Sequence, residues 1–207
     1  DEESGLRVRL LARLAGAMRD QPSLEPRSSL SQRAVDIARR LGDPDTLGYA
    51  LVSLFTATWG PDVERLVPIA EEVSRLAEQT GDGERAFEAR LLQHVLWMTL
   101  GDTARLAIVA DEHQALADEL KQASQQWYTT MLRSHGALFR GDFAEAERLA
   151  DEALKLGQRA QSWDAGFSHR ILLFVLRREQ GRLGEIDDVI RASVDEYVGY
   201  RSLRCLV

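Results

Sequence analysis

The sequence predicts an all-α protein, an α-solenoid of about five antiparallel helix pairs with a repeat of about 40 residues. Gly101, Gly141 and Gly181 lie 40 residues apart, each between two helical patterns. The apolar residues between these turns follow the 3.6-residue period of a helix. No alternating run flanked by hairpin turns is present, so the pattern predicts no sheet.

The first helix boundaries follow from a short run of turn residues. Gly42 can adopt the left-handed conformation that ends a helix, Asp43 can cap the next one, and Pro44 fits its first turn. Shorter turns, some of them at polar junctions near Gln122 and Gln161, divide the rest of the chain about every 20 residues. The predicted helices are 6–19, 26–41, 44–58, 62–79, 84–100, 103–121, 124–140, 143–158, 163–180 and 184–197.

The helix after Gly141 carries the clearest pattern. Asp142 is placed to cap it, and Glu145 three residues later predicts a reciprocal capping box. Ala146 and Ala153 lie on its apolar face, seven residues apart. Because small side chains allow helices to approach closely, both alanines are predicted to lie where this helix crosses its neighbours.

The segment LFRGDFAEAERLADEAL resembles the second half of a tetratricopeptide repeat, in which a Gly-Asp-aromatic turn precedes a helix with Ala, a bulky residue and Ala. The first half matches less well. The motif expects an aromatic residue near Thr130, a leucine near Arg133 and a small residue near Ser134, and only Ser134 agrees with it. The repeat is also longer than the usual 34 residues. We therefore expect a divergent, long-helix relative.

More of the chain is similar to the helical-repeat region of large bacterial ATP-dependent signalling proteins, namely LuxR-type and related transcriptional activators and cyclase-fused ATPases. The segments that carry this resemblance are ARRLGDPDTLGYAL, WGPDVERL, LFRGDFAEAERLADEAL and LRREQGRLGEI. The resemblance implies a regulatory, ligand-sensing or partner-docking role.

Composition excludes several classes of function. The net charge of −7 is the wrong sign for a general binder of nucleic-acid phosphates. The longest uncharged stretch, 46–61, is shorter than the roughly 20 apolar residues of a membrane span and is predicted to be a buried helix. Cys205 is the only cysteine, so no internal disulfide can form and a cytoplasmic location is expected.

The two ends of the chain suggest a piece of a longer protein. The sequence starts at Asp1 without a signal segment, and Leu203, Leu206 and Val207 follow a helical spacing that no cap closes. These three residues are expected either to fold back on Ile186, Val189 and Ile190 or to pair with the same edge of a second copy. The second arrangement, an edge-to-edge homodimer, is favoured.

No catalytic or metal-binding motif is present, and we expect no enzymatic activity and no cofactor. The sequence has no phosphate-binding loop of the form GxxxxGK, and its four histidines fall in different predicted helices. Asp111, Glu112 and His113 point in different directions around one helix and are predicted to be solvated. The aromatic residues Phe87, Trp127 and Phe167 are spaced by 40 and are predicted to pack between repeats.

A binding surface is expected on the concave face, which the first helix of each pair lines in stacked helical repeats. The positions assigned to it are Tyr128, Met131, His135, Leu138, Phe139, Arg178, Glu179 and Glu88. The chain as a whole, 1–207, is therefore interpreted as one repeat domain that binds a peptide, a protein, an effector or neighbouring domains of its own chain. A receptor that encloses a small or lipidic molecule is the alternative, and would require a deep apolar pocket.

Overall fold

The computed structural model describes residues 4–18, 23–60 and 62–196, and these ranges are all-helical, with 84% of residues in helices and no strand. The prediction of an all-α protein is confirmed. The helices are α1 Gly5–Ala17, α2 Glu25–Leu41, α3 Pro44–Ala57, α4 Val67–Thr80, α5 Gly83–Leu100, α6 Thr103–Leu120, α7 Ala123–Phe139, α8 Phe143–Arg159, α9 Ala165–Glu179 and α10 Asp187–Glu196. The predicted edge of Leu203, Leu206 and Val207 lies outside the described residues.

Three helices begin later than predicted, and two of them follow a single 3-10 turn. The third, predicted over 163–180, begins at Ala165. The helix predicted over 62–79 begins at Val67, after the 3-10 turn Glu64–Leu66. Pro68 explains this start, because proline has no N–H to donate and is tolerated only in the first turn of a helix. The helix predicted over 184–197 begins at Asp187, after the 3-10 turn Leu183–Glu185.

The turns fall where the glycines predicted them. Left-handed residues, with φ between 52° and 75°, end or follow helices at Gly42, Gly81, Gly101, Lys121, Gly141, Gln161 and Gly181. From position 81 onward these residues are 20 positions apart. Lys121 and Gln161 take this conformation although they carry a Cβ, which shows that the turn spacing is kept where glycine is absent.

The predicted capping box before α8 is only half correct. The Asp142 carboxylate accepts a hydrogen bond from the Glu145 N–H at 3.2 Å, as predicted. The reciprocal bond is not made, because the Asp142 N–H donates to the Ala137 carbonyl at 3.0 Å and the Glu145 side chain pairs with Arg148 at 2.7 Å. The Asp142 N–H therefore helps to close α7 rather than to open α8.

The chain divides into two compact units, residues 1–116 and 117–207. In the first unit each helix from α1 to α5 packs on the next one along the chain, and the odd-numbered helices α1, α3 and α5 also contact one another in sequence. Its core includes the buried side chains of Leu51, Phe55, Leu66, Val73 and Leu96. The first unit therefore has one face formed by α1, α3 and α5.

In the second unit α8 lies between α7 and α9. Ala146 packs with Ala137 of α7 and Leu176 of α9, while Ala153 packs with Trp127 and Ala165 of the same two helices. Both alanines are buried where α8 meets its neighbours, so their predicted role at the crossings is confirmed.

Candidate functional site

An open groove of about 450 Å³ lies on the face formed by α1, α3 and α5. A volume of this size is within the range of ligand sites, about 300 to 1,000 Å³. Glu88 of α5 lines the groove and was assigned to the binding surface from sequence. The other lining residues are Ala12, Arg13, Gly16 and Ala17 of α1 and Tyr49, Val52, Ser53 and Thr56 of α3.

The groove exists because α1 presents small residues toward α3. Gly16 has no atom within 4 Å of where a Cβ would stand, so the space beside it is open. Below this space the Ser53 hydroxyl lies 3.4 Å from the Ala12 carbonyl oxygen and 3.0 Å from the hydroxyl of the buried Ser31. These hydrogen bonds give the groove a polar floor where α1, α2 and α3 meet.

Arginine side chains dominate the charge at this groove. Arg13 lines it, and the Arg9 guanidinium lies 5.6 Å from the centre of the Tyr49 ring. The carboxylate of Glu88 forms an ion pair with Arg85, which offsets the one acidic group of the lining. The groove therefore favours a ligand that carries carboxylate or phosphate groups, which guanidinium groups bind well.

A second cavity of about 360 Å³ adjoins the groove. Gly16 and Thr56 line both spaces, and Arg27 adds a guanidinium from α2. Ala15 and Ala57 complete its lining. The two spaces together run along the contact of α1 with α3, and neither includes a residue of α7 or α9.

Several residues assigned to the concave face from α7 pack at least partly on the core of the second unit. Tyr128 and Met131 pack against the cluster of Trp127, Ala153 and Ala165, and the Tyr128 ring lies 4.4 Å from the Trp127 ring. Leu138 packs against the cluster around Ala146. Three of the assigned side chains therefore help to hold α7 in place.

Three of the remaining assigned residues of α7 and α9 are exposed, whereas His135 is not. Phe139 is 65% exposed. His135 is half-buried, and the loss of hydration lowers the pKa of its imidazole to about 4. Arg178 and Glu179 are exposed and pair with each other at 2.7 Å. Their role in binding stays a prediction.

His113 corrects one of the sequence predictions. Asp111 and Glu112 are exposed as expected, but His113 is buried, with its ring centre 4.1 Å from that of Phe87 and 6.3 Å from that of His94. Burial, and then the charge of His94, lower its pKa to about 4. The missed signal was the four-residue spacing from buried Val109, which places both side chains on one face of α6.

The aromatic residues spaced by 40 differ in burial, and their packing between repeats stays a prediction. Phe87 and Trp127 are buried, and Phe167 is half-buried. Trp97 is also buried, with Arg105 over its ring at 4.6 Å. Trp163 differs, since 61% of its surface is exposed.

Sequence reasoning also missed a partly buried ion pair in the second unit. Arg177 of α9 is 9% exposed, and its guanidinium donates to the Glu147 carboxylate of α8 at 3.0 Å and to Gln180 at 2.9 Å. These hydrogen bonds lower the pKa of the Glu147 carboxyl. The pair links α8 to α9 and has the character of a structural contact.

Among the described residues no group of three or more His, Cys, Asp or Glu side chains is placed to hold a metal ion. Nor does that part of the chain contain a helix with the length and apolar content needed to cross a bilayer. The chain matches none of the protein-family models, and a search of the curated proteins finds no significant match.

Proposed function

We propose that this chain is a non-catalytic interaction module that binds a peptide or protein segment in the groove between α1, α3 and α5. The observation that carries the proposal is the groove itself, an open space of about 450 Å³ with a polar floor and arginine side chains at its wall. An extended or helical peptide with acidic side chains fits such a trough better than an apolar molecule does, because a ligand that covered the exposed guanidinium of Arg13 would have to offer it an anionic partner.

The architecture proposed for the module is a tetratricopeptide-like solenoid over 1–207. Two features support it: left-handed residues spaced by 20 and the contacts that α1, α3 and α5 make in sequence. In stacked helix pairs the first helices line the concave face, and extended faces of this kind bind partners. The groove is therefore proposed to belong to the concave face, and Glu88 to be one of its contact residues.

The biological setting follows from the sequence resemblance and from the composition. We propose a cytoplasmic regulatory or sensor module of a bacterial signalling protein or transcriptional regulator, which needs no cofactor and contacts neither nucleic acid nor membrane directly. Its partner is a protein, a peptide, an effector or a neighbouring domain of the same chain. On α7 and α9 the proposed contact residues are Tyr128, Met131, His135, Leu138, Phe139, Arg178 and Glu179.

The alternative is a receptor for a small or lipidic molecule. The cavity of about 360 Å³ beside Ala15 and Ala57 is the observation that favours it. The same lining contains Arg27, so such a ligand would carry an anionic head group beside this guanidinium.

Peptide display with linear 12-residue libraries tests the proposal. Gly16→Leu places a large side chain in the groove, because the space beside this helical position is open. The control is Gln32→Leu, which adds a leucine at an exposed position of α2 and leaves the groove empty. We expect acidic peptides selected on the unmodified protein to lose binding to Gly16→Leu and to keep it on Gln32→Leu.

Two results would contradict the proposal: no enriched peptide, or peptides that bind both variants equally. Binding of a fluorescent fatty acid that Gly16→Leu alone abolishes, without any enriched peptide, would favour the receptor alternative.

A further inference from the structure

Helix α1 exposes an apolar stripe that no described helix covers. Leu6, Leu10 and Leu14 are 69%, 60% and 50% exposed, and their four-residue spacing places them along one side of the helix. The opposite side carries Val8, Ala12 and Ala15 into the core of the first unit. Both sides of α1 are thus apolar, although only one is buried.

Within helix α1, the charged residues beside this stripe are all arginines. Helix α1 contains Arg7, Arg9 and Arg13 and no acidic residue, in a chain whose net charge is −7. Helical geometry places Arg9 and Arg13 on one side of the leucines and Arg7 on the other. We call the three leucines with their three arginines the α1 face.

Helix α6 exposes a surface of the opposite charge. Ala104, Ile108 and Ala115 are exposed along one side, and Ile108 is 61% exposed. Asp111 and Glu112 are exposed on opposite edges of this stripe by helical geometry. We call these five residues the α6 face. Its Glu112 carboxylate already forms an ion pair with Arg90 at 2.6 Å, while Asp111 has no ion pair among the described residues.

We propose that the α1 face of one copy of this chain docks on the α6 face of a second copy. The large leucines of α1 fit against the alanines of α6, because small residues let helices approach closely. Arg9 and Arg13, on one edge of the α1 face, then meet Asp111 on one edge of the α6 face. Symmetric contacts are disfavoured, since two α1 faces would bring arginines together and two α6 faces would bring carboxylates together.

The contact is weak and repeats from copy to copy. The six residues of the α1 face and the five of the α6 face are each far fewer than the 20 to 30 residues per partner of an interface that buries about 800 Å² on each side. A contact between two different faces also leaves one free α1 face and one free α6 face on every pair, so it extends into longer assemblies or closes into a ring. This proposal does not depend on the groove.

Sedimentation equilibrium with two single-face variants tests it. The mass of the unmodified protein is expected to rise above 23.2 kDa with concentration. Leu10→Glu disables the α1 face and Ile108→Glu disables the α6 face, so each variant alone is expected to stay monomeric. An equimolar mixture keeps one intact α1 face and one intact α6 face, and is expected to approach, but not exceed, twice that mass.

The control is Val189→Glu, which adds the same charge at an exposed apolar site of α10 and should leave association unchanged. About 1 M salt, at which the Debye length is about 3 Å, should weaken association by screening the charge pairs. Circular dichroism checks the fold of each variant; if a glutamate variant unfolds, Leu10→Ala and Ile108→Ala replace the pair.

Four results would each overturn the proposal. They are a strictly monomeric unmodified protein, association of Ile108→Glu by itself, a mixture that stays monomeric, and an association that Leu206→Glu abolishes while Leu10→Glu does not. The last result would instead support the C-terminal edge predicted from sequence.

Discussion

Adding one methyl group at Gly157 should destabilise the protein, although alanine is the better helix former. Gly157 lies in the last turn of α8, buried between α7 and α9. A Cβ at this position would stand 2.5 Å from the Cβ of Ala165 and 3.0 Å from the Nε1 of Trp127. Ala165 cannot swing away, because its Cβ is fixed to the backbone of α9.

The chain contains a matched control at Gly136. This glycine also lies close to the end of its helix, α7, and a Cβ there would meet only the terminal nitrogen of Arg140 at 3.4 Å. Gly→Ala gains up to about 1 kcal/mol in helix propensity at either site. The gain cancels in the comparison, so the two variants should differ by the cost of overpacking alone, about 1 to 3 kcal/mol.

Urea denaturation followed by tryptophan fluorescence measures this difference, because Trp127 lies at the crowded contact. We expect Gly136→Ala to be as stable as the unmodified protein or more stable, and Gly157→Ala to unfold at lower urea with a similar m-value. A Gly157→Ala variant at least as stable as Gly136→Ala would refute the close contact of α8 with α7 and α9.

Three further predictions concern packing, charge and pH. Ala146→Leu and Ala153→Leu should each lower the free energy of unfolding, measured by urea denaturation, by about 1 to 3 kcal/mol, whereas leucine at exposed Ala144 should change it little. Unchanged urea midpoints for both variants would show that these alanines are not at tight crossings. Glu147→Gln should lower the free energy of unfolding by about 1 to 2 kcal/mol, because it weakens the contact with Arg177. Glu152→Gln, in the exposed pair with Arg148, should lower it by less than about 1 kcal/mol. Equal losses for the two variants would count against a structural role for Arg177. His113 is neutral in the folded protein down to its pKa of about 4, so the unfolded chain binds this proton between pH 4 and 6.5. As the pH drops through this window, His113 should contribute up to about 3 kcal/mol to the loss of stability, and His135, whose pKa is also about 4, a similar part. A His113→Gln variant should lose only the His113 part, and one with the same pH dependence as the unmodified protein would contradict this assignment.

The candidate site was much less predictable than the fold. Of the residues assigned to the concave face, Glu88 lines the groove, while Tyr128, Met131 and Leu138 pack at least partly on the core of the second unit. The periodicity of α7 shows which residues share a side of the helix. It does not show which helix covers that side, and this depends on crossing angles set by many side chains together.

The sequence by itself determined the helices and their turns. Gly42, Asp43 and Pro44 act on backbone hydrogen bonds within a few residues, so their effect on α2 and α3 can be inferred without knowledge of the rest of the chain. Only the tertiary structure decided that Gly16 borders an open groove whereas Gly157 has no room for a methyl group. Each of these outcomes depends on which distant helix comes to lie beside the residue, and the packing of whole helices, rather than the local sequence, determines that.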